Sequence, residues 1–337
     1  MPGSFHNRNE SSTLCGYAGS IALSTIERNL KRKTMTDKII ALAGATGELG
    51  GRIATALAKR GLSVRALVRV GTGAESTPSL RRSNAELCQV SFDDAAGLSE
   101  AVAGSSCVVS ALSGLQEVIV VAQTQLFRAA EAARVPRFIP SDFSCDLTHV
   151  PRGENRNFDL RRAFHREIAT SSVRATSILN GAFADMLTWK RSPLYDFARH
   201  RVMYWGSPDQ SLDFTTMDDV ADFTAAAAMD PSSPRFLRIS GNSVSARDLA
   251  TTASEVFGVP YELVLQGSLD DLADRIRTVR ASEPASEASV FPPFQGMQYL
   301  HNMFSGKGKL EPLDNDRYPD VRWTTIRSLL EQKKDHA

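Results

Sequence analysis

Three observations predict the fold class. Short apolar runs alternate with amphipathic helical stretches over the first half of the chain, a glycine-rich turn closes the first run, and that run has no polar face. Together they predict an α/β protein, with a doubly wound parallel sheet and a smaller, mostly C-terminal lobe. Strands alternating with helices imply βαβ units, and right-handed crossovers put helices on both faces of the sheet. At 337 residues the chain suits one large domain or two modest ones. Hydrophobic residues at 42% and charged residues at 23% exclude a disordered or fibrous chain. With 39 Lys and Arg against 38 Asp and Glu the net charge is +1, which argues against a dedicated nucleic-acid binder. No apolar run approaches the roughly 20 residues that span a bilayer, so no membrane association is expected.

Residues 1–34 are polar, with a basic cluster of Arg28, Lys31, Arg32 and Lys33. A secretory signal is excluded by the weak apolar stretch at 16–23. An organellar transit peptide fits the scarcity of acids but not of arginine. The favoured reading is an unstructured extension, or an upstream start ahead of Met35, and residues 1–37 are set apart from the fold.

Lys38-Ile-Ile-Ala-Leu-Ala43 reads as a strand buried on both faces. A helix follows, with Leu49, Ile53 and Leu57 on one face, closed by Lys59-Arg60-Gly61. Residues 62–69 form the second strand and 85–92 the third. A helix near 95–103 and a strand at 106–112 come next. One long helix is expected over 116–135, with Ile119, Ala122, Leu126, Ala129 and Ala133 on one side, then a strand at 137–140. Beyond Asp142 the pattern loosens: helix 155–170, strand 174–179, helix 218–229, strand 235–239 and helix 245–257. Residues 267–294 read as helical, with a linker or mobile lid near their end. The expected organisation is a dinucleotide domain over 38–190, to which 211–242 return, and a substrate-binding lobe from 191–210 and 243–332.

Four scattered cysteines and six unclustered histidines give no C-x-x-C or H-x-x-x-H pattern, so neither a disulfide framework nor a metal site is expected. A reducing, cytoplasmic setting follows.

Gly44-x-x-Gly47-x-x-Gly50 lies directly after the first strand and opens the first helix. Glycine permits the tight turn and the close approach of backbone to a pyrophosphate, while the helix start offers free N–H groups and a positive dipole end. The spacing differs from G-x-G-x-x-G, but the strand–turn–helix context makes this a Rossmann-type nucleotide site. Ser305-Gly-Lys-Gly-Lys309 is not a phosphate loop, since no Ser or Thr follows its lysines. An NAD site expects an acid at the end of the second strand. Residues 62–73 contain none, and the strand ends in Arg69, which can pair with a 2′-phosphate. NADP(H) is therefore the expected cofactor, with Arg65 the weaker candidate because a surface carboxylate can claim it.

Several motifs together resemble the NmrA-like branch of atypical short-chain dehydrogenases, and within it the isoflavone reductase-like, or aromatic alcohol reductase-like, proteins. They are Ala43-Gly-Ala-Thr-Gly47, Leu67-Val-Arg69, Arg137-Phe-Ile-Pro-Ser-Asp-Phe143, Asn157-Phe-Asp-Leu-Arg161, Ile178-Leu-Asn-Gly181 and Thr216-Met-Asp-Asp-Val-Ala221. The resemblance implies an NADP(H)-binding fold and reduction of an aromatic-linked C=C, C=O or benzylic ether. The expected cofactor set is Gly44, Thr46, Gly47, Glu48, Leu49, Gly50, Arg69, Ser110, Ala111, Pro140, Ser141 and Arg161. The ordinary Tyr-x-x-x-Lys pair is absent, because Tyr195 is followed by Arg199 and Tyr204 by Pro208. The family lysine that contacts ribose and assists proton transfer is replaced by Arg161, which can orient a carbonyl but not exchange a proton. Ser91 stands where many relatives carry an Asp.

Hydride transfer asks the protein for positioning and for a proton or positive charge at the receiving group. The catalytic candidates are Arg161, His165 one helical turn further on, and Ser141 at the carboxyl end of a sheet strand. Ser141 otherwise closes a local turn, Asp142 caps the following loop, and His165 is otherwise a surface residue. Phe143, Asn180, Phe183, Tyr299, Met303 and Trp323 are the candidate substrate-binding residues, the last three forming an apolar lid or else core packing. Two functions compete. One is an NADPH-dependent reductase of a small, aromatic substrate, quinones included. The other is a catalytically silent NADP(H)-sensing regulator acting through a protein partner. A monomer or homodimer is expected, the apolar stretch 118–126 packing on the sheet or between subunits.

Overall fold

The computed structural model describes residues 38–72 and 78–335, so the expectation for residues 1–37 lies outside the described residues. Six strands form one parallel sheet in the order β3-β2-β1-β4-β5-β6. They are β1 Ile39–Ala43, β2 Ser63–Arg69, β3 Glu86–Val90, β4 Ser105–Ser110, β5 Arg137–Ile139 and β6 Arg174–Ala175. The order reverses between β1 and β4, the place where open α/β sheets bind ligands beyond their strand ends.

Alternation along the strands fills both faces. Ile40 and Leu42 of β1 face one core with Ile53 and Leu57 of helix α1 (Glu48–Lys59). Ala41 and Ala43 face the other, with Leu98 and Phe127. The second core also takes α3 (Ala95–Val102) and α4 (Gln123–Ala132), α2 being the short Pro78–Arg82. Phe127, Phe138 and Phe164 meet there edge-on or tilted, with centroids 5.2–6.2 Å apart, a geometry worth about 1 kcal/mol per pair beyond area.

Two elements depart from expectation. The helix expected over 116–135 begins instead as a π-helical segment, Gln116–Ala122, before turning α-helical at Gln123. The wider turn brings Gln123 to the buried face, and π-turns concentrate at functional sites. The strand expected over 174–179 changes partner: β6 pairs with β5, while β7 (Ser177–Leu179) pairs with β12 (Phe236–Arg238).

A third core lies beyond the sheet, formed by Leu179, Leu194, Val202, Phe214, Leu249, Leu272 and Phe304 among others. It is framed by short strands that local periodicity misses: β8 (Ala182–Phe183), β9 (Tyr195–Asp196), β10 (Arg201–Tyr204), β11 (Leu212–Thr215), β13 (Asn242–Val244) and β14 (Glu262–Leu265). Gly181 precedes β8 at φ +69, where a Cβ would meet the Asp213 carbonyl at 2.2 Å, so the Asn-Gly pair lets β8 lie against β11. Helix α5 (Arg156–Ile168) joins the cores, with Phe158 in the third and Phe164 in the second. Helix α6 (Met217–Met229) packs on α1, and α7 (Ala246–Phe257), α8 (Leu269–Ser282), α9 (Pro293–Phe304) and α10 (Ile326–Asp335) complete the chain.

The expected lid near residues 283–292 is a strap. A 3-10 turn at Pro284–Ala288 ends α8, and the Arg156 guanidinium donates to the carbonyls of Glu287, Ser289 and Val290.

Candidate functional site

The glycine turn forms a tight cradle at the reversal of strand order. Gly44 has φ +79, and a Cβ there would sit 2.4 Å from the Ala111 carbonyl oxygen at the end of β4. A Cβ on Gly50 would meet the Gly44 carbonyl at 2.1 Å, and one on Gly47 the same oxygen at 3.3 Å. Any side chain at Gly44 or Gly50 therefore forces the turn apart. Gly47 is the N-cap of α1 and has no side chain to cap it, which leaves the first N–H groups of that helix, at Glu48 to Gly50, open to an anion. Thr46 lies in the turn itself. Ser110, fully buried at the end of β4, has a hydroxyl without a partner among the described residues. An unsatisfied buried hydroxyl beside a glycine cradle fits a bound dinucleotide.

Arg69 ends β2 with an exposed side chain. Arg65 is taken by Glu86, at 3.2 Å, and by the carbonyls of Ala101 and Ala103.

The carboxyl end of β5 carries the second group of residues. Ser141 N–H donates to Gln123 Oε1 (2.9 Å), and Ser141 Oγ donates to the Leu112 carbonyl (2.7 Å). Because Leu112 precedes it by 29 residues, Ser141 closes no local turn; it ties the ends of β4 and β5 together. Gln123 holds this edge from the π–α junction, and a lone amide within an apolar helix face was its only signal in the sequence. Pro140 is buried beside it and accepts from Asp142 N–H.

Asp142 is not a loop cap. Its carboxylate is wholly buried, and Oδ2 accepts from His165 Nε2 at 2.7 Å and from Ser177 Oγ. Burial by itself would raise this carboxyl. His165 opposite it, the Ser177 hydroxyl and the Arg161 charge outweigh that and hold it below the usual carboxylate range. His165 is correspondingly not a surface residue, its side chain being 15% exposed and set against Phe236. Arg235 reaches the same Ser177 hydroxyl.

Arg161 lies one turn before His165 on the same face, as its spacing predicts. Nε donates to the Ser141 carbonyl (3.3 Å), and Nη1 to the Asn157 carbonyl (3.3 Å) and the Tyr299 hydroxyl (3.3 Å). Helix α5 is seated by its N-cap, where Asn155 accepts from Asn157 and Phe158 N–H and from Gln295 Nε2 while donating to Asn302. Arg161 of α5 and Tyr299 of α9 thus meet.

The substrate candidates separate. Tyr299 joins Arg161, and Asn180 is buried with Oδ1 unpartnered among the described residues. Phe183 is half-buried against the first core. Phe143 is a member of that core, and Met303 is buried in the third. Trp323 does not join Tyr299 and Met303 in a lid: it packs on Phe223 of α6, held by the bonds between Thr324 and Asp219. A cavity of about 170 Å³ near Trp205, Met297 and Leu300 shares no residue with this group. No group of three or more His, Cys, Asp or Glu side chains among the described residues is arranged to hold a metal.

The family model that matches is that of the NmrA-like family, over residues 36–314. Phenylcoumaran benzylic ether reductase PT1 of Pinus taeda is 28% identical over 313 residues, covering 86% of this chain and 97% of the relative. A bifunctional pinoresinol-lariciresinol reductase of Linum album is 24% identical over 332 residues, covering 92% and 99%. A solved structure of AtPrR2 with NADP+ and (+)pinoresinol superposes with TM-score 0.74 at 23% identity, covering 88% of this chain and 99% of that one, a likeness that establishes a common fold.

Proposed function

The chain belongs to the NmrA-like family, and from that premise we infer that it is an NADPH-dependent oxidoreductase that reduces a small aromatic carbonyl, enone or ether. The observation that carries this reading is the pairing of an open glycine cradle with the Ser141–Arg161 edge, both at the carboxyl ends of one parallel sheet. The names of the relatives, a phenylcoumaran benzylic ether reductase and a pinoresinol-lariciresinol reductase, support the substrate class and favour a reductase over a silent NADP(H) sensor.

The N–H groups at Glu48, Leu49 and Gly50 would hold the pyrophosphate, with Thr46, Ser110 and Ala111 completing the site. Arg69 pairs with the 2′-phosphate. When bound, the reduced nicotinamide supplies a hydride. Pro140, Ser141 and Arg161 orient the reacting end, and Asn180 and Phe183 line the substrate side. Residues 38–190 with 211–242 serve as the cofactor unit, and 191–210 with 243–332 as the substrate lobe. His165 acts as a positioning residue: through Asp142 it holds α5, and so Arg161, on the β5 edge. The proposed setting is cytoplasmic, as a monomer or homodimer; among the described residues Cys88, Cys107 and Cys145 are free, the last two buried. No helix among the described residues is long and apolar enough to cross a membrane.

The test is NADPH oxidation, followed by absorbance, against aromatic aldehydes, enones, benzylic ethers and quinones. Turnover with one class is expected. A flat trace from protein that binds NADPH would replace the enzyme with the sensor.

A further inference from the structure

The Arg161 guanidinium bonds to the Ser141 carbonyl but cannot give up a proton, so proton accounting at the β5 edge turns to the side chains around it. Three groups at this edge can donate: Ser141, His165 and Tyr299. The Ser141 proton is spent on the Leu112 carbonyl. His165 Nε2 bonds to Asp142, its ring is set against Phe236, and neither ring nitrogen bonds to Ser141, Arg161 or Tyr299 among the described residues, so it lies outside their network. Tyr299 differs. Its oxygen accepts from Arg161 Nη1 at 3.3 Å and from Asn157 Nδ2 at 3.4 Å. A guanidinium is donor-only, and the Asn157 amide is oriented by Arg156 Nε, which donates to Asn157 Oδ1 at 3.3 Å, so Nδ2 is the end that faces the tyrosine. Both bonds therefore consume acceptor capacity. No acceptor for the Tyr299 proton lies within hydrogen-bond reach among the described residues, and the ring is fixed edge-on to Phe158 with centroids 5.4 Å apart.

We propose that Tyr299 is a catalytic residue, the proton donor of the reduction, with its O–H turned to the substrate and Arg161 and Asn157 holding the oxygen; the proposal rests on the reductase reading above. As the hydride electron pair bonds to the substrate carbon, the C=O π pair moves onto oxygen. The Tyr299 O–H bond breaks, its proton passes to that oxygen, and its electron pair stays on the phenolate. Two donors, one of them cationic, stabilise that negative charge. Water returns the proton afterwards. The same balance serves the enolate oxygen of an enone.

Tyr299→Phe tests the assignment while keeping the ring on Phe158. Turnover of the aldehydes and enones is expected to fall about 10²–10⁴-fold, the contribution of a positioned general acid. NADPH affinity should stay within about twofold. Benzoate, an aromatic oxyanion, titrated calorimetrically into the NADP+ complex, is expected to bind about tenfold more weakly to the variant, the loss of one charge-assisted hydrogen bond. Asn157→Ala, which removes one of the two donors, should lower turnover about threefold to tenfold. Turnover of Tyr299→Phe within threefold of the parent, equal benzoate affinity, or no benzoate binding to the parent would each overturn the assignment and leave the reductase reading standing. A parent that binds NADPH but reduces nothing removes that reading, and the tenfold loss of benzoate would then still uphold Tyr299 as the donor into the cleft.

Discussion

Two charged side chains are placed by the chemistry around them rather than by their neighbours in sequence. Arg69 ends a strand free of acids, and a 2′-phosphate is the ligand that such an end suits. Arg69→Asp should weaken NADPH binding about 10–100-fold, the worth of one charge-assisted contact reversed in sign, while NADH affinity changes little; equilibrium fluorescence of both nucleotides measures it. Asp142 is the opposite case, a buried carboxylate held in its charged form by His165 and Ser177. Its folded value lies below the unfolded one near ~3.9. The stability it contributes is therefore fully present above about pH 4 and is lost as pH falls through the folded value. Asp142→Asn should cost about 3 kcal/mol at neutral pH, since it breaks a buried pair. It should also flatten the acid limb of the melting-temperature profile, which calorimetry between pH 3 and 7 would record. In the sequence Arg161 and His165 could be read as sharing a face, because i and i+4 positions do. That Asp142 was their partner could not, because the bond spans 23 residues and a turn with no periodicity.

At the scale of elements, what was legible follows the length of the local pattern. Most of the parallel sheet came from short apolar runs alternating with helical periodicity, and β1 to β5 stand within a few residues of where that pattern puts them. Strands β9, β10 and β14 hold two to four residues each, and β10 pairs with β14 about 60 positions further on, so nothing local marks them. The π segment is hidden for another reason: Gln116–Ala122 is an apolar helical run whose register changes only where Gln123 must reach Ser141. The glycine turn was fully legible, and its geometry grades its substitutions. Gly50→Ala puts a Cβ 2.1 Å from backbone oxygen, which cannot yield without opening the turn. It should abolish measurable NADPH binding or weaken it at least about 30-fold, with a melting temperature several degrees lower. Gly47→Ala, whose closest approach is 3.3 Å, should lose less than about fivefold. Equal losses at the two positions would mean that the turn does not seat the nucleotide.

The molecule as a whole is organised by α5, which carries the site in its middle and a core at each end. Phe158 lies in the third core, Phe164 and Ile168 lie in the second, Arg161 stands between Phe158 and Phe164, and His165 follows Phe164. Its N-terminus is sewn to α9 by fully or nearly buried amides, Asn155 with Asn302 and Gln295, whose bonds strengthen in a low-dielectric seam. A helix shared in this way cannot leave one core without exposing a phenylalanine from the other, at about 3–5 kcal/mol each. The cores that α5 joins should therefore unfold together, although their hydrophobic clusters are separate. Calorimetry should show a single transition. NADPH at about 100 times its Kd should raise that whole transition, through about 2.7 kcal/mol of added stability, by roughly 5 °C. Two transitions, with only one of them moved by the nucleotide, would mean that α5 does not couple the cores. The Arg161–Tyr299 and Asn155–Asn302 contacts would then be too weak to make the two ends of α5 cooperative.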